Sequence, residues 1–173
     1  LAEEAWPRPT LLTRTKVSAN ICVYIEHLGI LSPEMPSRAM PRVEYHQLEV
    51  GYEFPPSRYQ VTPQTVAAYL EAVDEPGALY RDSDLVPPLA VGVLAMAALS
   101  DSLSFPQGAI HVSQEFEFLA TVSTKDTLTS HARVSRKQDR GKLRLLTIDL
   151  SVLTEEGREV LTGKTSFILP EPR

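Results

Sequence analysis

The chain has 173 residues, enough for one domain with a sizeable core, and its 43% hydrophobic and 23% charged content is ordinary for a globular protein. A formal net charge of -5 offers no general phosphate-binding surface and argues against nucleic acid as a partner. Cys22 is the only cysteine, which excludes an internal disulfide and a cysteine-rich metal site, and no apolar run approaches the roughly 20 residues that cross a bilayer.

Residues 1–39 read as an extension or arm, or else as a poorly ordered leader, with the apolar patch "ICVYIEHLGIL" as the one notable feature. The opening "LAEEAWPRPT" lacks a basic-then-apolar signal pattern, so a reducing cytoplasm is the expected location. A compact domain is expected over residues 40–173.

From residue 48 the pattern sharpens. "GYEFPPSRYQVT" reads as a first strand interrupted by Pro55 and Pro56. "TPQTVAAYLEAV" reads as a short helix, with Thr62 as N-cap and Pro63 at the first helical position. Val66, Tyr69, Leu70 and Val73 fall on one face of it. Asp74 to Val86 is a loop rich in Asp, Pro and Gly. "PPLAVGVLAMAALSDSL" is a helix that is apolar nearly all round, so it must be buried on most sides.

Four strand-like runs follow. "AIHVSQEFEFLATV" sets Ile110, Val112, Phe116 and Phe118 against His111, Ser113, Glu115 and Glu117. "DTLTSHARVSRKQD" sets Leu128, Ala132 and Val134 against Thr129, His131 and Arg133. "GKLRLLTIDLSVLTEEG" aligns Leu146, Ile148, Leu150 and Val152, and "REVLTGKTSFILP" closes the series. Gly141 and Gly157 end hairpin-like turns where a positive φ is needed. The expected fold class is α+β: a meander of four antiparallel strands, wrapped round the long buried helix. This is the hot-dog arrangement. One such sheet covers only part of its helix, so a homodimer or a heterodimer with another hot-dog unit is expected.

From about residue 48 to 169 the chain resembles the MaoC-like dehydratase/hydratase branch of the hot-dog superfamily, and most of all its N-terminal, often non-catalytic, domain. The matching stretches are "VTPQTVAAYLEAV", "LYRD", "VPPLAVGVL" and "QEFEFLATVSTKDTLTSHARV". The resemblance implies a 3-hydroxyacyl or enoyl thioester as substrate, on coenzyme A or an acyl carrier protein. Beyond that carrier, which belongs to the substrate, it implies no cofactor. Active members carry an Asp-x-Asn-Pro-x-His loop, whose Asp and His move protons, while amides at the start of the buried helix hold the thioester oxyanion.

Aligned on "LYRD", the loop places Glu75 at the Asp position and Tyr80 at the His position; aligned on the first acid, Asp74 takes the Asp position and no His follows. Indeed no histidine stands between His46 and His111. A tyrosine titrates near 10 and is a poor base at neutral pH. Pro88 has no N–H to give where the family offers its amides.

The candidate catalytic residues are therefore Asp74, Glu75 and Tyr80. The candidate substrate-binding residues are Pro88, Leu89, Ala90, Gly92, Arg133 and Arg136. Each also has a plain structural reading. Asp74 and Glu75 can be a charged helix end, and Tyr80 can pack on Leu85. Gly92 can ease helix–sheet packing instead of admitting a pantetheine arm. Arg133, Arg136, Lys137 and Arg140 can be a solvated edge instead of a phosphate grip. A thioesterase using Asp84 or Asp101 is a third functional reading. No metal-ligand spacing occurs.

Overall fold

The computed structural model describes residues 42–74 and 78–170. The expected arm, residues 1–39, and Glu75 lie outside them. After a 3-10 turn at Tyr45–Gln47, the elements run β1 (Ser57–Gln60), α1 (Pro63–Ala72), α2 (Ala78–Arg81), α3 (Pro88–Ser102), β2 (Ile110–Phe118), β3 (Thr127–Arg140), β4 (Leu143–Thr154) and β5 (Glu159–Pro170).

The helices start as their sequence dictates. The Thr62 side chain accepts from the Thr65 N–H and Pro63 occupies the first turn. Val66 and Leu70 are buried, while Val73 is half exposed at the frayed end. The 74–86 loop is less irregular than expected. It contains α2, and its Leu85 forms a β-bridge with Ser123. The first strand is shorter than expected: Pro55 and Pro56 interrupt its pairing with β3, leaving Ser57–Gln60 as the strand and a single bridge from Glu53 to Arg133 before them.

The sheet is antiparallel throughout, in the order β1-β3-β4-β5-β2. Only β3, β4 and β5 form a meander. β2 does not lie beside β3: it pairs with β5 at the far edge, so the link from β2 to β3 crosses the sheet. Both hairpin glycines have positive φ, Gly141 at 60° and Gly157 at 79°.

The core lies between the inner face of this sheet and α3, in two clusters. One gathers Ala90, Val91 and Leu94 with Leu70, Leu128, Val152 and Leu161. The other gathers Met96, Leu99 and Leu103 with Leu48, Leu146, Ile148 and Phe167. The ring of Phe116 packs against both.

One strand departs from its expected faces. A register shift between His111 and Ser113 inserts a bulge in β2, and a one-residue shift moves the preceding side chains to the other face. Ile110 and Val112 are therefore about half exposed instead of buried beside Phe116. His111 takes the inward place, stacked on Phe167 with ring centroids 4.9 Å apart and hydrogen-bonded to Thr165 at 2.9 Å.

Candidate functional site

Three segments lie near the N-terminal half of α3: α1, through Val66 and Leu70, the short α2, and the extended stretch from Asp84 to Val86. That stretch is fixed to the chain before β3, since Val86 N–H donates to Val122 and Thr124 N–H donates to Asp84. Between α1, α2 and Thr124 lies a hollow of about 200 Å³, lined by Val66, Ala67, Leu70, Tyr80, Arg81 and Thr124 among others. Tyr80 thus faces an apolar wall with a few polar groups around it, and it neighbours Tyr69. Burial first, and then Tyr80, hold the Tyr69 phenol above its ordinary value.

The start of α3 decides what this end can do. Its N-cap is Pro87, whose side chain makes no capping bond, and Pro88 has no N–H. The Ala90 N–H is already donated to the Pro87 carbonyl at 3.0 Å. The Leu89 N–H, the first amide of the helix, has no acceptor among the described residues. Leu89 is also 36% exposed. One free amide at a helix start can hold developing negative charge on an oxygen.

The other candidates are dispersed. Asp74 is exposed just past the end of α1 and has a left-handed backbone, φ 52°. Gly92 is buried one turn into α3, and the Phe116 ring lies over it: a Cβ there would stand 2.7 Å from a ring carbon. Arg133 and Arg136 are exposed on β3, beside the part of β4 that packs on the C-terminal half of α3. Their strand neighbour Lys137 turns the other way, sits over the Tyr45 ring and donates to the Leu48 carbonyl at 2.6 Å. The four cations therefore do not form one patch. From Leu89 to Leu103 the helix rises roughly 20 Å at 1.5 Å per residue. Within one chain, the helix start and the two arginines do not meet.

The histidines are elsewhere too. His46 pairs with Glu44 near the other end of α3, His111 is engaged with Thr165, and His131 is exposed on β3. Asp84 pairs with Lys125, and Asp101 lies at the C-terminal end of α3. Among the described residues, no group of three or more His, Cys, Asp or Glu is placed to hold a metal ion, and no helix is long and apolar enough to cross a membrane.

Sequence reasoning missed two features. One is Thr124 and the hollow it lines, which depends on a contact between distant segments. The other is Gln114, which is buried with no hydrogen-bond partner for its side-chain oxygen. The alternation of β2 already puts position 114 on the face of Phe116 and Phe118, but a polar side chain there gave no apolar signal.

Comparison with known proteins agrees with this geometry. A UPF0336 protein of Thermobifida fusca is 23% identical over 135 residues, which span 69% of this chain and 88% of that protein. An unliganded R-hydratase from Pseudomonas aeruginosa superposes with a TM-score of 0.66 at 18% identity, covering 76% of this chain and 88% of the other. A MaoC-like dehydratase from Rhodospirillum rubrum gives 0.63 at 17% identity, with 74% and 97% covered. The ChsH1-ChsH2 complex from Mycobacterium tuberculosis gives 0.59 at 17% identity, with 70% and 98% covered. These likenesses establish the hot-dog fold. Residues 49–163 match the family described as FAS1-like, dehydratase domain region, and the chain belongs to that family.

Proposed function

We propose that this chain is an acyl-thioester-binding hot-dog subunit of the hydratase/dehydratase class, and that it pairs with a second hot-dog unit carrying the catalytic acid and histidine. The observation that carries this reading is the start of α3. It keeps an unbonded amide for a thioester oxygen, at Leu89, while the segment before it carries Tyr80 at the position where the resemblance expects the proton-moving histidine. A phenol is a poor base at neutral pH.

Two surfaces support the pairing. Leu89, Val93, Ala97 and Ser100 form a partly exposed stripe on an otherwise buried helix. Beside the sheet, β2 has a free edge, with Ile110 and Val112 about half exposed. An open strand edge with apolar side chains calls for a partner strand. Glu115 and Glu117 also stand exposed on β2. Antiparallel self-pairing centred on Phe116 would set Glu115 of each copy opposite Glu117 of the other, which is destabilising. That favours a different hot-dog chain as the partner. In such a pair, Arg133 and Arg136 are available for the phosphates of a ligand held across the interface, and not for one held at the α3 start of the same chain.

A second reading has one observation in its favour. Asp74 is not glycine yet keeps a left-handed backbone, a strain that clusters at functional sites. Here Asp74 or Glu75 is the base, Tyr80 donates a hydrogen bond, and the Leu89 amide is the oxyanion donor of a hydratase complete in itself, since the Ala90 amide is already bonded to Pro87. The thioesterase reading finds Asp84 paired and Asp101 at the wrong end of the helix.

Hydration of enoyl-coenzyme A by the purified chain separates these. The expected result is binding without turnover, and turnover only when a histidine-bearing hot-dog partner is added. Turnover by the chain alone, abolished in Asp74→Asn or Glu75→Gln, overturns the first reading in favour of the second.

A further inference from the structure

A single row of charged residues crosses the outer face of the sheet. Glu53 bridges to Arg133, Arg133 stands opposite Asp149, Asp149 opposite Lys164, and Lys164 opposite Glu115. All of these side chains are exposed, while the next residues along their strands, Phe54, Val134, Leu150, Thr165 and Gln114, are buried on the inner face. The sign alternates at every step, from the carboxylate of Glu53 to that of Glu115. Opposite charges on facing cross-strand positions stabilise a sheet, and like charges weaken it. Lys164 lies 3.7 Å from Asp149, on the side of the row away from β2. Glu115 ends the row, and among the described residues it has no ion-pair partner.

The strand that carries Glu115 has an open side. β2 pairs with β5 alone, so its other edge presents free N–H and C=O groups. Two residues on, Glu117 is exposed on the same outer face, opposite the neutral Thr162. β2 contains no Lys or Arg. Exposed apolar side chains flank the two carboxylates, Ile110 and Val112 before them and Leu119 after them. A second copy of the chain offers nothing that continues the row. Its own β2 brings the same two carboxylates, and the far end of its row is Glu53.

We propose that β2 is a docking edge for a partner strand that carries Lys or Arg at two positions, two residues apart, set opposite Glu115 and Glu117. Such a strand lies antiparallel to β2, extends the sheet beyond it and continues the alternation of charge. This rests on the pairing of two hot-dog units argued above, and adds to it the chemistry that selects the partner: attraction for a basic edge and repulsion between two copies. The occupant is the edge strand of a different hot-dog chain, and the carboxylates act on which chain is accepted more than on how tightly it is held.

The chain itself can supply the basic edge for a test. Glu115→Lys and Glu117→Lys made together give a hot-dog unit with two cations at the required spacing. Wild type, this double variant and their equimolar mixture are compared by sedimentation equilibrium at low salt. The mixture is expected to form a 1:1 dimer about tenfold tighter than the dimer of either chain alone, and rising salt should shrink that ratio. Wild type that dimerises as tightly as the mixture overturns the proposal and makes a second copy the occupant. A mixture no tighter than either chain alone overturns it too, as does a preference that salt leaves unchanged. The double variant sets a lysine opposite Lys164. Should it fail to fold, Glu117→Lys faces only Thr162 and leaves the row intact. Antiparallel pairing centred on Phe116 sets each new lysine opposite Glu115 of the other copy. Glu117→Lys alone is therefore expected to dimerise about tenfold more tightly than wild type, and no gain overturns the proposal. The docking edge and the thioester reading fail separately. A mixture that pairs but binds no enoyl-coenzyme A keeps the edge and removes the thioester site. A chain that binds the thioester while its mixture shows no preference does the reverse.

Discussion

The C-terminal half of α3 is held by the first turn as well as by the sheet, whereas the N-terminal half starts on two prolines next to α1 and α2. At the C-terminal end the chain before β1 closes over the helix. The Tyr45 hydroxyl donates to Asp139 at 2.8 Å, Lys137 and Arg144 lie over its ring, and Val43 bridges to Leu103. Burial first, then the hydrogen bond to Asp139, hold the Tyr45 phenol well above the ordinary tyrosine value. At the N-terminal end α1 and α2 stand off from Thr124 by about 200 Å³ of space, and the helix begins on two prolines. The same helix is thus anchored at one end and left accessible at the other. The unbonded Leu89 amide lies at the less anchored end.

The comparison breaks if the two ends are equally well packed, and core truncations test that most directly. Leu146 is fully buried among C-terminal neighbours, so Leu146→Ala should cost about 4 kcal/mol in denaturant unfolding. Leu70 is nearly as buried but lines the hollow, where part of its surface lacks partner atoms. Leu70→Ala should cost about 2 kcal/mol. Equal losses would mean that the hollow is filled in solution.

A pH titration probes the accessible half next. Tyr59 belongs to the N-terminal cluster, and burial pushes its phenol up to about 12, against a smaller lowering by its hydrogen bond to Ser130. The unfolded value is near 10. A raised folded value means that the unfolded chain loses its proton first as pH rises. The stabilisation is therefore complete below about pH 10 and is lost between about 10 and 12, on the order of 2–3 kcal/mol. Tyr59→Phe should remove that part of the alkaline decline, as read from denaturant midpoints at rising pH. An unchanged decline would show that water reaches the phenol.

The difference between the ends also explains what could be read from the sequence. The strands of the hairpins were legible because each alternates cleanly and ends in a glycine that the turn requires: Leu146, Ile148, Leu150 and Val152 are all buried, and Gly141 and Gly157 have positive φ. α1 and α3 were legible from capping chemistry and from an apolar surface too wide for anything but a buried helix. The faces of β2 were not, because a bulge changes the parity of a strand without leaving a glycine or proline to mark it. The place of β2 at the sheet edge was hidden as well, since pairing order depends on which strands meet across the sheet and not on local pattern. At the candidate site, the loss of an amide at Pro88 was visible in the residue itself. The separation of Leu89 from Arg133 and Arg136 was not, because it follows from the register of β3 along α3.

Phe116 joins the two halves, and its glycines offer a sharper cut. Gly163→Ala would drive a methyl into both the ring and the Glu115 carbonyl, a backbone atom that cannot turn aside. The expected cost is about 2 kcal/mol. Gly92→Ala meets only the ring and gains helix propensity, so it should cost less, about 1 kcal/mol. The reverse order, measured by thermal unfolding, would place the rigid wall on the helix and not on the sheet.

The smallest expected effect bears most on function. Asp74 ends α1 with φ 52°, and its N–H donates to the Glu71 carbonyl at 3.2 Å. Glycine adopts that conformation without a Cβ penalty. Asp74→Gly should therefore raise stability, by about 0.5 kcal/mol. Asp74→Asn should leave it nearly unchanged, since asparagine tolerates the left-handed region as aspartate does. If the carboxylate is only the end of a helix, both variants keep whatever thioester binding and partner-dependent turnover the wild type has. If the carboxylate is a base, both lose turnover by orders of magnitude while Asp74→Gly is still the more stable protein. Stability gained at the expense of activity at this one position would identify the strain as functional, and would make the accessible end of α3 a catalytic site and not only a binding one.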